Sequence, residues 1–331
     1  MNYKQIKQLY KAGGILGLGR LLLSFIDAHS KKKLVKDKKL KYIINGDLIN
    51  YALKFNYFID LSDPKNFTEK IHVYKLLYDD PKMSKIVDKY EFKGYIKDIL
   101  GTDQFSVKSF GVIENYYELE KLWPSLPEEF VLKSTISSDG NNIIFVNDKN
   151  KLEIKSIKNE IEKMLNPYHT QLNGYSRAYY SLKPRVVIEE YLHEIKGSGL
   201  QDYKFYCFNG EVAFVYVTSR TFESKEDPSG ANYPRTFFDL EWKKLPISLV
   251  NHPTDEKVAK PSHFEEMKKI AKKLSQGFPF VRIDFYNLEK GPLLGEMTFY
   301  PAGGFKHIYP IEFDEQLGAK FLIDDSKLIK I

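Results

Sequence analysis

The sequence predicts an α+β fold with a helical N-terminal region, on three observations. Residues 202–217 and 281–300 alternate and turn as two β-hairpins. Residues 63–78, 84–100 and 264–276 repeat apolar side chains at helical spacing. Apolar residues form 43% of the 331-residue chain, with 23 Tyr and 23 Phe, enough for a large core and more than one subdomain.

Charge and cysteine content narrow the class. Lys and Arg number 50 against 44 Asp and Glu, a net charge of +6. That excess is mild and dispersed, so no nucleic-acid partner is expected, whereas a phosphorylated or acidic substrate would be favoured. A single cysteine, Cys207, excludes an intrachain disulfide framework, and without a convincing signal peptide the chain is expected in the reducing cytoplasm. Cys207 lies in an apolar strand pattern, the setting of a buried, inert thiol.

Residues 1–62 form a basic N-terminal region. Residues 15–26 are mostly apolar but too short to span a bilayer, and Arg20 interrupts them. Residues 31–41 carry seven lysines against one aspartate, Asp37. Two readings fit: a helix lying through residues 1–41 on the inner face of an anionic membrane, or an ordinary helix with a solvated basic end.

In residues 63–125 the pattern is helical. Asn66 followed by Glu69 makes a capping box, and Ile71, Tyr74, Leu77 and Tyr78 supply the apolar face. A second helix is predicted over 84–100, stopping at Gly101. Residues 129–134 and 142–146 then read as strands, with Lys133 on the first and a loop of small hydroxyl residues at 135–141 between them. Such a loop can close over a polyphosphate through its N–H groups, or be a plain hairpin turn. After a helix over 154–165, residues 185–192 read as a buried strand ending in Glu189 and Glu190, at the edge of a cleft or at a solvated terminus.

The 202–217 hairpin turns at Asn209 and Gly210, a type I′ signal, which puts Asp202, Lys204 and Tyr206 on one face. Residues 221–251 read as a variable loop region, with Arg220 and Arg235 as candidate substrate contacts. The 264–276 helix turns Met267, Ile270, Ala271 and Leu274 inward.

In the last hairpin a three-residue loop of Glu289, Lys290 and Gly291 centres the register on Lys290. Asp284 then faces Glu296 and Arg282 faces Thr298 on one side, while Val281, Ile283, Phe285, Met297 and Phe299 share the other. Opposed carboxylates need a positive partner between them. Either Mg²⁺, which accepts oxygen ligands and leaves positions for phosphate and water, or a salt bridge to Arg282 or a lysine supplies it.

Taken in order, Lys133 before its loop, the strand ending Glu189-Glu190-Tyr191-Leu192, Asp202-Tyr203-Lys204, and Arg282-x-Asp284 followed by Glu296-x-Thr298 resemble the ATP-grasp superfamily. More narrowly, Asn66-Phe67-Thr68-Glu69-Lys70, Asp202-Tyr203-Lys204-Phe205 with Phe208-Asn209-Gly210-Glu211, and Gly295-Glu296-Met297-Thr298-Phe299-Tyr300-Pro301 are similar to the teichuronopeptide-biosynthesis (TupA-like) ATP-grasp family. The resemblance covers residues 63–318.

The resemblance implies two α+β subdomains clasping ATP: a lid at 126–192 and a larger domain at 193–331. It implies ATP and Mg²⁺ as cofactors. Lys133 would contact the α and β phosphates, with Ser137, Ser138 and Gly140 closing over them. Glu189, Glu190, Tyr191 and Leu192 would be the hinge cradling adenine and ribose; Asp202 and Lys204 would join the nucleotide site. Arg282 would face the γ phosphate, and Asp284 and Glu296 would hold Mg²⁺ with Thr298 as an outer ligand. Relatives usually place a histidine and several glycines after the lysine, where this chain has only Gly140, and many have Asn where Thr298 stands.

The implied activity joins a carboxylate, activated as acyl phosphate, to an amine. The implied substrates are a sugar carboxylate or polysaccharide precursor and an amine, in cell-surface polysaccharide synthesis. Three other readings stay open: a glycosyltransferase, although no Asp-x-Asp triplet is present; a glycan kinase using the same ATP site; and a non-catalytic nucleotide-binding partner. Walker A, G-x-G-x-x-G and H-E-x-x-H patterns are absent.

Overall fold

The structure is a computed structural model and describes residues 40–55, 57, 59–137, 142–167, 176–193, 201–218, 233–249, 252–255 and 257–329. The chain divides into two compact units, Met1–Pro64 and Lys65–Ile331. In the first, a helix spans Leu40–Phe55. Near its end Tyr51 stacks on Phe55 with ring centroids 4.4 Å apart. The apolar and lysine-rich stretches of the N-terminus lie almost wholly outside the described residues.

The second unit opens with the helix Phe67–Leu77, which starts on the expected capping box. Asn66 Oδ1 accepts from Glu69 N at 2.9 Å, while the Glu69 carboxylate accepts from Asn66 N at 3.4 Å. The sequence predicts one apolar stripe, yet all of this helix except Glu69 and Lys70 is buried. His72 and Lys75 are buried because they hold backbone carbonyls: Lys75 Nζ donates to Gly303 O at 2.8 Å, and His72 Nε2 lies 3.2 Å from Gly304 O.

The helix Ile311–Lys320 packs across Phe67–Leu77, and Gly318 permits it. A Cβ at Gly318 would come within 2.3 Å of Lys65 O, so only glycine allows the approach. Beside this crossing, Asp314 accepts from Thr68 N at 3.1 Å and bonds Thr68 Oγ1. Burial pushes the Asp314 carboxyl up to about 6. Its folded form therefore holds a proton that the unfolded chain, titrating near 4, has released. Stability from this group is fullest below pH 4 and is lost as the pH rises to 6. The difference in Tm between wild type and Asp314→Asn should fall over pH 4–6 and level off above. A pH-independent difference in differential scanning fluorimetry would show that this carboxyl is not perturbed.

The predicted 84–100 helix is two helices, Pro81–Val87 and Glu91–Leu100. The break falls at Asp88, whose Oδ1 accepts from the N–H groups of Tyr90 at 2.9 Å and Glu91 at 3.0 Å. A side chain that captures these free donors favours restarting the helix over continuing it.

Four antiparallel strands form a smaller sheet: β1 Ser109–Ile113, β2 Phe130–Ser134, β3 Ile143–Val146 and β4 Val186–Glu190, in the order β1-β4-β2-β3. Phe130, Leu132, Val186 and Ile188 face a core shared with Ile161 and Met164 of the helix Lys158–Leu165. By the period of two, Lys133 and Glu189 emerge on the opposite face.

The larger sheet contains β5 Asp202–Phe208, β6 Glu211–Thr218, β7 Arg235–Phe238, β9 Phe280–Leu288 and β10 Gly291–Thr298, in the order β10-β9-β5-β6-β7. A two-stranded pair, β8 Ser248–Leu249 with β11 Ile308–Tyr309, lies apart from it in the ladder. Strands β7 and β8 stand inside what the sequence presents as a loop. The β5–β6 turn is as expected, with Asn209 at φ 50° and Gly210 at φ 82°.

The two faces of this sheet differ. Phe205, Ile283 and Phe285 are fully buried on the face covered by the helix Phe264–Leu274, whose Met267, Ile270, Ala271 and Leu274 point inward. On the opposite face, at one end of β5 and β9, Phe67 meets Phe280 and Phe208 with centroids 4.9 and 5.7 Å apart. One residue pair further along the strands, that face becomes charged.

Candidate active site

The charged face is laid out by register. Lys204 on β5 pairs with Asp284 on β9, which pairs with Glu296 on β10; the next row is Tyr206, Arg282 and Thr298. The facing pairs are those the sequence predicts, although the hairpin reaches them differently. Leu288 pairs with Gly291 around a two-residue turn, and a bulge between Leu294 and Glu296 restores the register. The bulged residue is Gly295, where a Cβ would stand 3.1 Å from the Tyr286 ring.

Asp284 is the hub. It is 2% exposed and receives Arg282 at both oxygens, Nε to Oδ1 at 2.7 Å and a terminal N–H to Oδ2 at 2.6 Å. Lys204 Nζ donates to the same Oδ2 at 2.6 Å and to Asp202 Oδ2 at 2.5 Å. Arg282 also reaches Glu296 Oε1 at 2.8 Å and Thr298 Oγ1 at 3.2 Å, and Thr298 donates to Glu296 at 2.9 Å. Six predicted residues thus form one hydrogen-bonded network.

Its electrostatics follow from burial and opposed charge. Burial alone would raise the Glu296 carboxyl, but Arg282 and Lys89 outweigh it and hold it at about 2. Burial would lower Lys204, yet Asp202 and Asp284 keep its ammonium well above the usual lysine range. Burial pushes Asp284 up, opposed by Arg282 and Lys204.

A second cluster belongs to the smaller sheet. Lys133 Nζ donates to Glu189 Oε2 at 2.9 Å, and Lys93 Nζ pairs with Glu189 Oε1 at 2.6 Å. Glu189 is 5% exposed; burial would raise its carboxyl, but the two lysines hold it below the usual range. Glu190 is exposed, and Tyr191 and Leu192 are half-buried past the strand end. Ser137 is buried beside the cluster, its Oγ accepting from Asn142 Nδ2 at 3.0 Å and its carbonyl from Lys89 Nζ. Ser138 and Gly140, like Arg220, lie outside the described residues.

Lys89 and Lys93 escape the sequence reading. Lys89 stands in the break between two helices, its N–H bonded to Thr135 O at 2.9 Å. Burial lowers its ammonium, with Glu296 opposing and Lys133 reinforcing that shift, so it feels both clusters at once. Helical spacing marks Lys93 as one more surface lysine. Its only signal is the unmatched Glu189 on a strand from a distant part of the chain.

The donor set can be tested against a divalent ion. Asp284, Glu296 and Thr298 offer only oxygens from adjoining strands, which suits Mg²⁺ held by one or two carboxylates. Among the described residues no group of three or more His, Cys, Asp or Glu could hold a metal. This pair would therefore leave the remaining positions to water and phosphate. In this structure the Arg282 guanidinium bonds both carboxylates, so cation exchange there is a matter of which charge stands between them.

The four-stranded and five-stranded antiparallel sheets with their helices make an α+β fold of the ATP-grasp kind. The chain belongs to the TupA-like ATP-grasp family, whose sequence model matches residues 69–322. Among solved structures it is similar to a D-alanine–D-alanine ligase from Helicobacter pylori, at 16% identity over 72% of this chain and 61% of that one, TM-score 0.42. The same enzyme from Bacillus anthracis matches at 16% identity over 66% and 57% of the two chains, TM-score 0.36. An N5-carboxyaminoimidazole synthetase from Staphylococcus aureus, complexed with ADP, matches at 13% identity over 64% and 44%, TM-score 0.36. The chain thus spans about three-fifths of the length of the two D-alanine ligases. No curated protein matches the sequence.

Proposed function

We propose that the protein is an ATP- and Mg²⁺-dependent carboxylate–amine ligase acting in cell-surface polysaccharide synthesis. The observation that carries this reading is the single network of Asp202, Lys204, Arg282, Asp284, Glu296 and Thr298, set beside the Lys133–Glu189 cluster. Asp284 and Glu296, with Thr298, would hold Mg²⁺, which supplies charge neutralisation to a transferring phosphoryl group. Lys133 binds the inner phosphates, Lys204 the nucleotide, and Arg282 turns its planar fork to the γ phosphate. Ser137, Ser138 and Gly140 close the loop over them, and the strand end at Glu189, Glu190, Tyr191 and Leu192 borders the base and ribose.

These residues position and neutralise; none is a nucleophile. The carboxylate of a sugar acid or polysaccharide precursor would attack the γ phosphorus of ATP as ADP leaves, giving an acyl phosphate, and an amine would then displace phosphate from it to leave an amide. Cys207 takes no part, since it is fully buried and burial pushes its thiol up to about 12. No described helix is long and apolar enough to cross a membrane. The expected place of action is the cytoplasm, with residues 1–41 as a peripheral contact to the inner membrane face.

The test is mass-spectrometric and phosphate-release analysis of the full chain with ATP, Mg²⁺ and a panel of uronic acids and amines. ADP and phosphate formed only when carboxylate and amine are both present, with an amide product, support the ligase. ADP with a phosphorylated sugar makes the protein a kinase, and transfer from a nucleotide sugar without ADP makes it a glycosyltransferase.

A further inference from the structure

Tyr179 comes to the charged network from outside both sheets. It ends a short 3₁₀ helix, Arg177–Tyr179, that packs against the helices Phe67–Leu77 and Pro81–Val87, and the second of these lies in turn against β10. The turn is pinned. Arg177 clasps Asp79 at both oxygens, Nε to Oδ1 and a terminal N–H to Oδ2, each at 3.0 Å. Tyr179 N donates to Ser176 O at 3.0 Å, and Tyr179 O accepts from Leu182 N at 3.2 Å. The side chain packs against the main core, so both its backbone and its ring are held.

Groups from three other parts of the chain fix where its phenol stands. Glu296 on β10, Arg282 on β9 and Asp88 in the helix break all act electrostatically on Tyr179, which acts in turn on Tyr300 just past β10. Yet no group hydrogen-bonds its hydroxyl among the described residues. Glu296 is already served by Arg282 and Thr298, and the tyrosine is half-buried. A phenol packed this far into a charged site usually has a partner, so the unpaired O–H calls for one. Burial and the Glu296 charge push it above the usual tyrosine range, so it keeps its proton at neutral pH and offers a donor. The partner it suits is an anion.

We propose that Tyr179 is a further phosphate-binding residue, its hydroxyl donating to the γ phosphoryl of ATP. This role rests on the nucleotide reading above, which brings that phosphoryl to Arg282 and Mg²⁺ to Asp284 and Glu296. The phenol stands beside Arg282 and Glu296 alike. As an uncharged donor it adds a contact to the phosphoryl without a third cation next to Arg282 and Lys89. It touches no part of ADP, so it separates the triphosphate from the diphosphate.

Calorimetry on the full chain with Mg²⁺ compares two probes, ADP and β,γ-imido-ATP, whose γ phosphoryl is present but not transferred. Tyr179→Phe removes one oxygen atom and keeps the ring. Its affinity for ADP should match that of the wild type, which also reports that the site is intact. Its affinity for β,γ-imido-ATP should fall about tenfold or more, the scale of one hydrogen bond to a charged group. Unchanged β,γ-imido-ATP binding in the variant overturns the proposal. So does an equal loss for both nucleotides, which would make the hydroxyl a support of the site and not a contact to the γ phosphoryl. Either result leaves the nucleotide reading standing, whereas a wild type that binds neither probe removes that reading and this role with it.

Discussion

Asp284→Asn is expected to lower Mg²⁺-dependent ATP turnover by about 10²–10³-fold and also to destabilise the fold. Both follow from its place at the centre of the network. The carboxylate is 2% exposed and neutralises two buried cations, receiving both donors of Arg282 and one of Lys204. Asparagine keeps the shape but removes the charge and turns an amide N–H₂ toward one of those cations. Leaving a buried charge uncompensated costs roughly 3–5 kcal/mol. For a unit of this size that is a fall of roughly 10 °C in Tm. Glu296→Gln separates the two roles. Its side chain is 33% exposed, and Arg282 retains Asp284 when Glu296 is neutral. Turnover should fall as far, while Tm should fall less than in Asp284→Asn. A turnover assay and a melting curve on each variant decide it. Wild-type turnover in Glu296→Gln would remove that residue from the metal site, and an unchanged Tm in Asp284→Asn would contradict its role as hub.

Much of this network can be read in the chain because period-two alternation and turn chemistry are local. The Asn209 and Gly210 turn puts Asp202, Lys204 and Tyr206 on one face without further information. The pairing of Asp284 with Glu296 is also legible, though by compensation: a turn one residue shorter than expected is offset by one extra residue at Gly295. Nothing in residue spacing separates those two routes, since both give the same facing pairs. What is illegible depends on distant partners. Strand β1 is five residues with a glycine at its bulge, and its partner β4 lies some seventy positions further along the chain. Strand β7 hides in a polar stretch because only its pairing with β6 defines it. Lys89 and Lys93 carry helical spacing and charge like any surface lysine, and only the fold places them beside Ser137 and Glu189.

Lys93 gives the other large effect, through Lys133. Glu189 has two oxygens and two lysines, one on each, Lys93 on Oε1 and Lys133 on Oε2. If Lys133 is to meet a phosphate, its bond to Glu189 must loosen, and Glu189, 5% exposed, must keep a cation when it does. Lys93 is that cation; it is also tied to Val107 O at 2.6 Å, so it stays in place. Lys133→Met should weaken ADP binding about 10–100-fold, the value of a charged contact to phosphate. It should cost little stability, because Glu189 keeps Lys93. Lys93→Met leaves Glu189 with Lys133 alone and so makes that lysine costly to release. ADP affinity should fall about fivefold although Lys93 itself touches no nucleotide. The double variant should bind ADP no more weakly than Lys133→Met alone, since Lys93 acts only by freeing Lys133. Additive losses in the double-mutant cycle, read by ADP titration, would mean that Lys93 contacts the nucleotide directly. Unchanged affinity in Lys93→Met would mean that Glu189 does not compete with phosphate for Lys133.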